Sequence, residues 1–115
     1  MDNSLRISLV QGATRWHDPD ANREYYGGLI APLRGTTDVV LLPETFTSGF
    51  SNDAIAQAET MDGPTVAWMR EQADRLEAAI CGSVQLRVDD KVFNRLLWAT
   101  PGGGREHYDK RHLFR

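Results

Sequence analysis

Cysteine is nearly absent from this chain. One residue of 115, Cys81, carries a thiol, so no disulfide can form within the chain and a reducing cytoplasm is the expected setting. Long apolar runs are missing too. None approaches the roughly 18 residues that a membrane-spanning helix needs, so no membrane partner is expected. The opening Met1-Asp2-Asn3-Ser4 has neither the basic start nor the apolar segment of a secretory signal. Positive charge is not in excess: a net charge of -3 gives no electrostatic ground for expecting nucleic acid. Histidine is scarce, with three residues, His17, His107 and His112. The last two are five positions apart, a spacing that does not stack two imidazoles on one helix face. Neither a metal nor any other cofactor is therefore expected. Repeats, low-complexity tracts and linkers are also lacking. What remains is 41% hydrophobic and 25% charged, enough apolar material for the core of one domain over residues 1–115.

The most informative stretch present is Asp38-Val39-Val40-Leu41-Leu42-Pro43-Glu44-Thr45-Phe46. Its aliphatic run predicts a strand buried on both faces, as in a parallel sheet. Pro43 ends the ladder because it has no N–H to donate. Upstream, Leu5, Ile7 and Leu9 alternate with Arg6 and Ser8, which predicts a first strand reaching Val10. Asp18-Pro19 marks a helix start, a capping carboxylate before a proline at the first helical position. Its buried stripe is expected through Ala21, Tyr25, Leu29 and Leu33, with Tyr26 and Ile30 beside it. Gly27-Gly28 should weaken this helix, and Pro32 and Gly35 should end it.

Downstream, Ala54 to Glu59 reads as a short helical stretch. Asp62-Gly63-Pro64 starts a second long helix, with Val66, Met69, Ala73, Leu76 and Ile80 buried and Glu71 paired with Arg75 on the surface. A strand from Ala79 through Val88 follows. Asp89-Asp90-Lys91 turns it, Val92 to Thr100 returns, Pro101 to Gly104 turns again, and Arg105 to Tyr108 makes a last strand. The order β-α-β-α-β with two hairpins predicts an α/β fold. Its sheet should be mixed, parallel inside and antiparallel toward one edge, with helices on one face.

Glu44 stands just past the carboxyl end of a buried strand, where ligands bind in open α/β sheets. Packing against Phe46 and Phe50 would desolvate it and raise its pKa toward a general base's range. A turn cap or a surface ion pair is the plainer role for the same carboxylate. The final segment, Tyr108-Asp109-Lys110-Arg111-His112-Leu113-Phe114-Arg115, sets basic side chains among aromatics directly after a strand. Such a cluster suits a solvated end as well as a site. Leu113 and Phe114 would make an apolar free tail, so the polypeptide is expected to continue beyond Arg115.

Leu42 to Phe50 (Leu-Pro-Glu-Thr-Phe-Thr-Ser-Gly-Phe) and Tyr108 to Phe114 resemble the first two catalytic segments of the nitrilase superfamily of carbon–nitrogen hydrolases. The resemblance is closest to its ω-amidase-like branch, which hydrolyses terminal amides of short oxo-acids. Phe93-Asn94 in a strand and the Gly-rich turn before Tyr108 fit as well. This resemblance implies an αββα sandwich, of which the chain would form the amino-terminal part, and a Glu–Lys–Cys triad acting on a small-molecule amide in a homodimer. Glu44 matches the family's general base, which takes a proton from the thiol and later activates water. Lys110 matches the lysine that stabilises the oxyanion, and Phe50 an aromatic near the substrate pocket.

The family's nucleophilic cysteine follows the lysine, whereas Cys81 precedes it and lies in an apolar strand. Burial makes a thiol inert, so Cys81 is expected to be structural. The nucleophile is expected beyond Arg115. The alternative is a non-catalytic α/β interaction module in which Glu44 and Lys110 form only a structural ion pair. On the catalytic reading the two belong at the carboxyl ends of neighbouring strands, facing one cavity. The sheet face away from the helices is expected to be apolar through Leu41, Val84, Leu86 and Leu97, and covered in the family by a second sheet.

Overall fold

The computed structural model describes residues 4–49 and 58–110. In chain order these form β1 (Ile7–Leu9), α1 (Pro19–Ile30), a 3-10 turn (Ala31–Leu33), β2 (Val39–Leu41), α2 (Pro64–Leu76), β3 (Ala79–Val88), β4 (Lys91–Ala99) and β5 (Arg105–Asp109). A single sheet takes the five strands in the order β1-β2-β3-β4-β5. β1, β2 and β3 are parallel, and β4 and β5 return antiparallel. The mixed sheet is as expected, except that its parallel half runs out to an edge at β1 rather than lying inside. Two successive right-handed crossovers stepping the same way put α1 and α2 on the same face.

Local chemistry explains each helix. The Asp18 carboxylate accepts from the Ala21 N–H at 3.2 Å and Pro19 is the first helical residue. Pro32 sits in the 3-10 turn, and Gly35, at φ 79°, reverses the chain. Gly27-Gly28 does not interrupt α1. Gly27 is buried where α2 crosses, and its carbonyl accepts from Arg75 Nη2 at 2.9 Å. Arg75 thus turns to α1 instead of pairing with Glu71. The buried stripe is also displaced: Asn22, Tyr26, Gly27 and Ile30 face the core, while Tyr25 and Leu29 are exposed. Asn22 is the reason. Its amide accepts from the Arg15 N–H at 2.6 Å and donates to the Arg15 and Thr47 carbonyls at 2.7 Å each. A fully bonded amide can be buried at little cost.

At the start of α2, Gly63 offers no side-chain cap, and Glu59 fills the role from upstream. One carboxylate oxygen accepts from the Thr65 N–H at 2.8 Å, and the other from Thr65 Oγ1 and from Arg23 Nη1 of α1. A carboxylate at a helix N-terminus also meets the positive end of its dipole. Glu59 is therefore not the end of a helix; it bridges to Leu86, beyond the reach of the short β2. Residues 54–57 of that expected helical stretch lie outside the described residues. α2 ends at Glu77, in the left-handed region at φ 54°, and Ile80, expected on the helix, belongs to β3.

The core lies between the helices and one face of the sheet, with Tyr26, Ile30, Val40, Met69, Leu76, Ile80 and Leu86 among its buried members. Val84, Leu86 and Leu97 belong to this side and are buried, contrary to expectation. Side chains alternate strictly along a strand, and Val84 and Leu86 share the face of Ile80, as does Leu97 through its pairing with Gly82. The opposite face instead presents Ile7, Leu9, Leu96 and Tyr108, all exposed, with Leu9 at 77%. Leu41, paired with Leu9, is the one expected residue found there, and it is half-buried.

Candidate active site

The turn after β2 divides its side chains between the two faces of the sheet. Phe46 is fully buried on the helix side, edge-on to Tyr26 with ring centroids 5.9 Å apart and tilted against Trp68 at 5.5 Å. It lies over Gly82, where an added Cβ would come within 3.0 Å of Phe46 Cδ1 and 3.1 Å of Leu42 Cβ. The Thr45 N–H donates to Ser83 Oγ at 2.8 Å, and the Ser48 and Gly49 N–H groups fold back onto the Thr45 carbonyl. Thr45 takes a left-handed conformation, φ 47°, in this turn. Such backbone is held only where its surroundings fix it. Here they are an aromatic anchor on one side and the β3 serine on the other.

Glu44 emerges on the helix-free face. Its Oε1 accepts from Lys110 Nζ at 2.8 Å and from Asn94 Nδ2, also at 2.8 Å. The backbone N–H of Lys110 donates in turn to the Asn94 carbonyl at 3.0 Å. These groups, with Leu42, Ser83, Leu96 and Tyr108, line a cavity of about 620 Å³. Glu44 and Lys110 therefore share one cavity, but they do not follow neighbouring strands. β3 and β4 lie between β2 and β5, a gap of roughly 14 Å at the usual strand spacing. The turn closes part of it by carrying Glu44 over β3, and the long side chains span the rest. Upstream of Lys110, Asp109 accepts two bonds from the buried Arg95 guanidinium at 2.7 and 3.1 Å, which pins the end of β5 to β4. Arg95 holds the Asp109 carboxyl below its ordinary range.

Electrostatics correct one expectation. The hydrogen bond from the Lys110 ammonium holds the Glu44 carboxyl below the usual glutamate range; desolvation opposes it, and the Asn94 amide assists the lowering. Phe46 is turned away beneath the helices, and the Glu44 side chain is 48% exposed. Ion pairing thus outweighs desolvation. Phe50 and His112 lie outside the described residues. Cys81 is buried in β3, where desolvation pushes its thiol pKa up. His17 precedes α1 and His107 lies exposed in β5; among the described residues no group of three or more His, Cys, Asp or Glu side chains could hold a metal ion. Ser83 is a site residue that the sequence did not single out, and Asn94 was noted only as part of the family resemblance, with no role at the site. Their signal is faint: polar side chains on strand positions that face the cavity.

Residues 6–115 match the carbon-nitrogen hydrolase family. The chain is 41% identical over 111 residues to the omega-amidase YafV of Escherichia coli, covering 96% of this chain and 43% of that protein. An (R)-stereoselective amidase of a Pseudomonas species is 31% identical over 112 residues, covering 96% and 41%. Among solved structures, a CN-hydrolase superfamily protein of Xanthomonas campestris, with an arsenic adduct in its active site, superimposes with a TM-score of 0.94 at 73% identity, covering 96% and 42%. Saccharomyces cerevisiae Nit3, of the nitrilase superfamily, shares the fold with a TM-score of 0.83 at 22% identity, covering 94% and 44%. The chain thus spans under half the length of the relatives it matches. It belongs to the carbon–nitrogen hydrolase family.

Proposed function

We propose that this chain supplies two groups of an amide-hydrolysing triad, Glu44 as general base and Lys110 as oxyanion stabiliser. The nucleophilic thiol comes from residues outside these 115, and the substrate is a small ω-amide of an oxo-acid. The 2.8 Å contact between Lys110 and Glu44 in one cavity carries this reading. The ω-amidase relatives support the substrate class. Family likeness is also the support for a homodimer, and the single cysteine is the support for a reducing cytoplasm.

The chemistry runs as acylation and deacylation. Glu44 takes the thiol proton, the sulfur attacks the amide carbon, and a tetrahedral oxyanion forms beside the Lys110 ammonium. The oxyanion collapses, the C–N bond breaks, and the proton held on Glu44 leaves with the nitrogen. Water, deprotonated by Glu44, then attacks the acyl carbon; the C–S bond breaks, the carboxylic acid product leaves, and the proton held on Glu44 returns to the sulfur. Held below its ordinary range, Glu44 is ionised at neutral pH, the state in which a base must start. As the ammonium turns toward the oxyanion its bond to Glu44 weakens, so the carboxylate becomes more basic as the proton arrives.

A purely structural ion pair is the weaker alternative. The two side chains are 37% and 48% exposed, and pairs that open to water contribute about 0–1 kcal/mol. Steady-state hydrolysis by the complete polypeptide carrying Lys110→Met tests the assignment. We expect kcat to fall at least a hundredfold with little change in KM, because the contact strengthens only as the oxyanion forms. Unchanged kcat would remove Lys110 from the mechanism.

A further inference from the structure

Two donors converge on one oxygen of Glu44. Lys110 Nζ and Asn94 Nδ2 both reach Oε1, each at 2.8 Å. No hydrogen bond from the described residues reaches Oε2, although the carboxylate lines the cavity. The last torsion of a glutamate is broad and nearly two-fold, so one ammonium, free to pivot about a single oxygen, does not settle how the carboxylate is turned. Asn94 can. It is buried in the middle of β4, stands in register opposite Gln85 of β3, and its carbonyl accepts the Lys110 N–H on the β5 side. The same residue therefore fixes where Lys110 leaves β5 and how the carboxylate facing it is rotated.

We infer that Asn94 is a positioning residue which commits Oε1 of Glu44 to the lysine and leaves Oε2 as the oxygen that accepts the proton. This rests on Glu44 acting as the general base. Around Glu44, the described part of the cavity offers Lys110 and Tyr108 from the β5 end as titratable groups. β3 and β4 contribute the neutral Ser83 and Asn94. A donated hydrogen bond favours the ionised carboxylate, so its removal raises the pH at which Glu44 protonates. A neighbouring carboxylate raises it further.

The test uses the complete polypeptide with Asn94→Leu and Asn94→Asp, both close in shape to asparagine, and Glu44→Gln in parallel. Hydrolysis of a short ω-amide is followed against pH, with thermal melting to establish folding. For Asn94→Leu we expect kcat to fall about tenfold to a hundredfold, KM to stay within about threefold, and the acid limb of the rate profile to move to higher pH. For Asn94→Asp the limb should move further up. If Asn94→Leu does not fold, the limb of Asn94→Asp decides the matter by itself. An unmoved acid limb, including a rate loss equal at every pH, would overturn the positioning role while Glu44→Gln is inactive. Parental activity in Glu44→Gln would instead overturn the general-base reading, and this inference with it.

Discussion

Gly82 has no side chain, and the turn that presents Glu44 depends on that. Phe46 packs into the space where a Cβ would stand, 3.0 Å from its ring, and Phe46 is the buried end of the turn whose other end is Glu44. A methyl group at Gly82 must push the ring or open the strand, and either movement shifts the carboxylate. Gly82→Ala is expected to cost about 1–3 kcal/mol, the usual range for overpacking, and to lower activity with it. Chemical denaturation of the complete polypeptide checks this; a change under about 0.5 kcal/mol would mean that the turn does not rest on this contact. Residue-scale packing of this kind is hard to read in a sequence. The order of Leu42, Pro43 and Glu44 announces a strand end, but nothing in it says which face Glu44 takes. The direction of its pKa shift was misread for a related reason. Desolvation by aromatics and pairing with a lysine compete, and only a distance decides between them.

At the scale of elements, signals built from adjacent residues were legible and those built from distant ones were not. Asp18-Pro19 starts α1, and the hairpin of β3 and β4 falls within a residue of its expected limits, because caps and turns are local chemistry. The stripe of α1 was misplaced because Asn22 looks like a surface residue until Arg15 and Thr47 are seen to satisfy it. Glu59 was assigned to a helix end, although its carboxylate caps α2 and ties Arg23 of α1 to it. Removing that carboxylate leaves the Thr65 N–H without its cap and takes one of two carboxylates from the largely buried Arg23 guanidinium, which keeps Asp20 and Thr65 Oγ1. Glu59→Ala should therefore destabilise the fold by about 2–4 kcal/mol. A thermal or urea unfolding series on the complete polypeptide would show it, and a loss below about 1 kcal/mol would contradict the capping role.

For the molecule as a whole, the unequal faces of the sheet matter most. One is covered by α1 and α2. The other carries the cavity and exposes Ile7, Leu9, Leu96 and Tyr108. Apolar surface of this kind promotes association, and β1 and β5 are edges of the sheet. The 115 residues expressed alone are expected to self-associate and to hydrolyse no ω-amide, since Glu44 and Lys110 can polarise a carbonyl but cannot form the acyl intermediate. Sedimentation and an ammonia-release assay test both halves; a monodisperse, cooperatively melting monomer or measurable turnover would contradict one or the other. The α/β architecture was legible in contiguous signals, and the pairing of Glu44 with Lys110, 66 residues apart, through the family resemblance of the two segments that carry them. The Asn94 contact joins residues 50 apart and was not.

The central claim is that Glu44 moves the protons of amide hydrolysis. Its most direct test is kcat/KM against pH for a short ω-amide, comparing the complete polypeptide with its Glu44→Gln variant at matched folding. Glutamine keeps the shape and can still accept from Lys110 and Asn94, but it cannot take a proton at any relevant pH. The parent should show an acid limb where Glu44 protonates, and Glu44→Gln should melt like the parent while losing several orders of magnitude in kcat/KM across the profile. A Glu44→Gln variant that turns over at the parental rate, with the acid limb still present, would contradict the account.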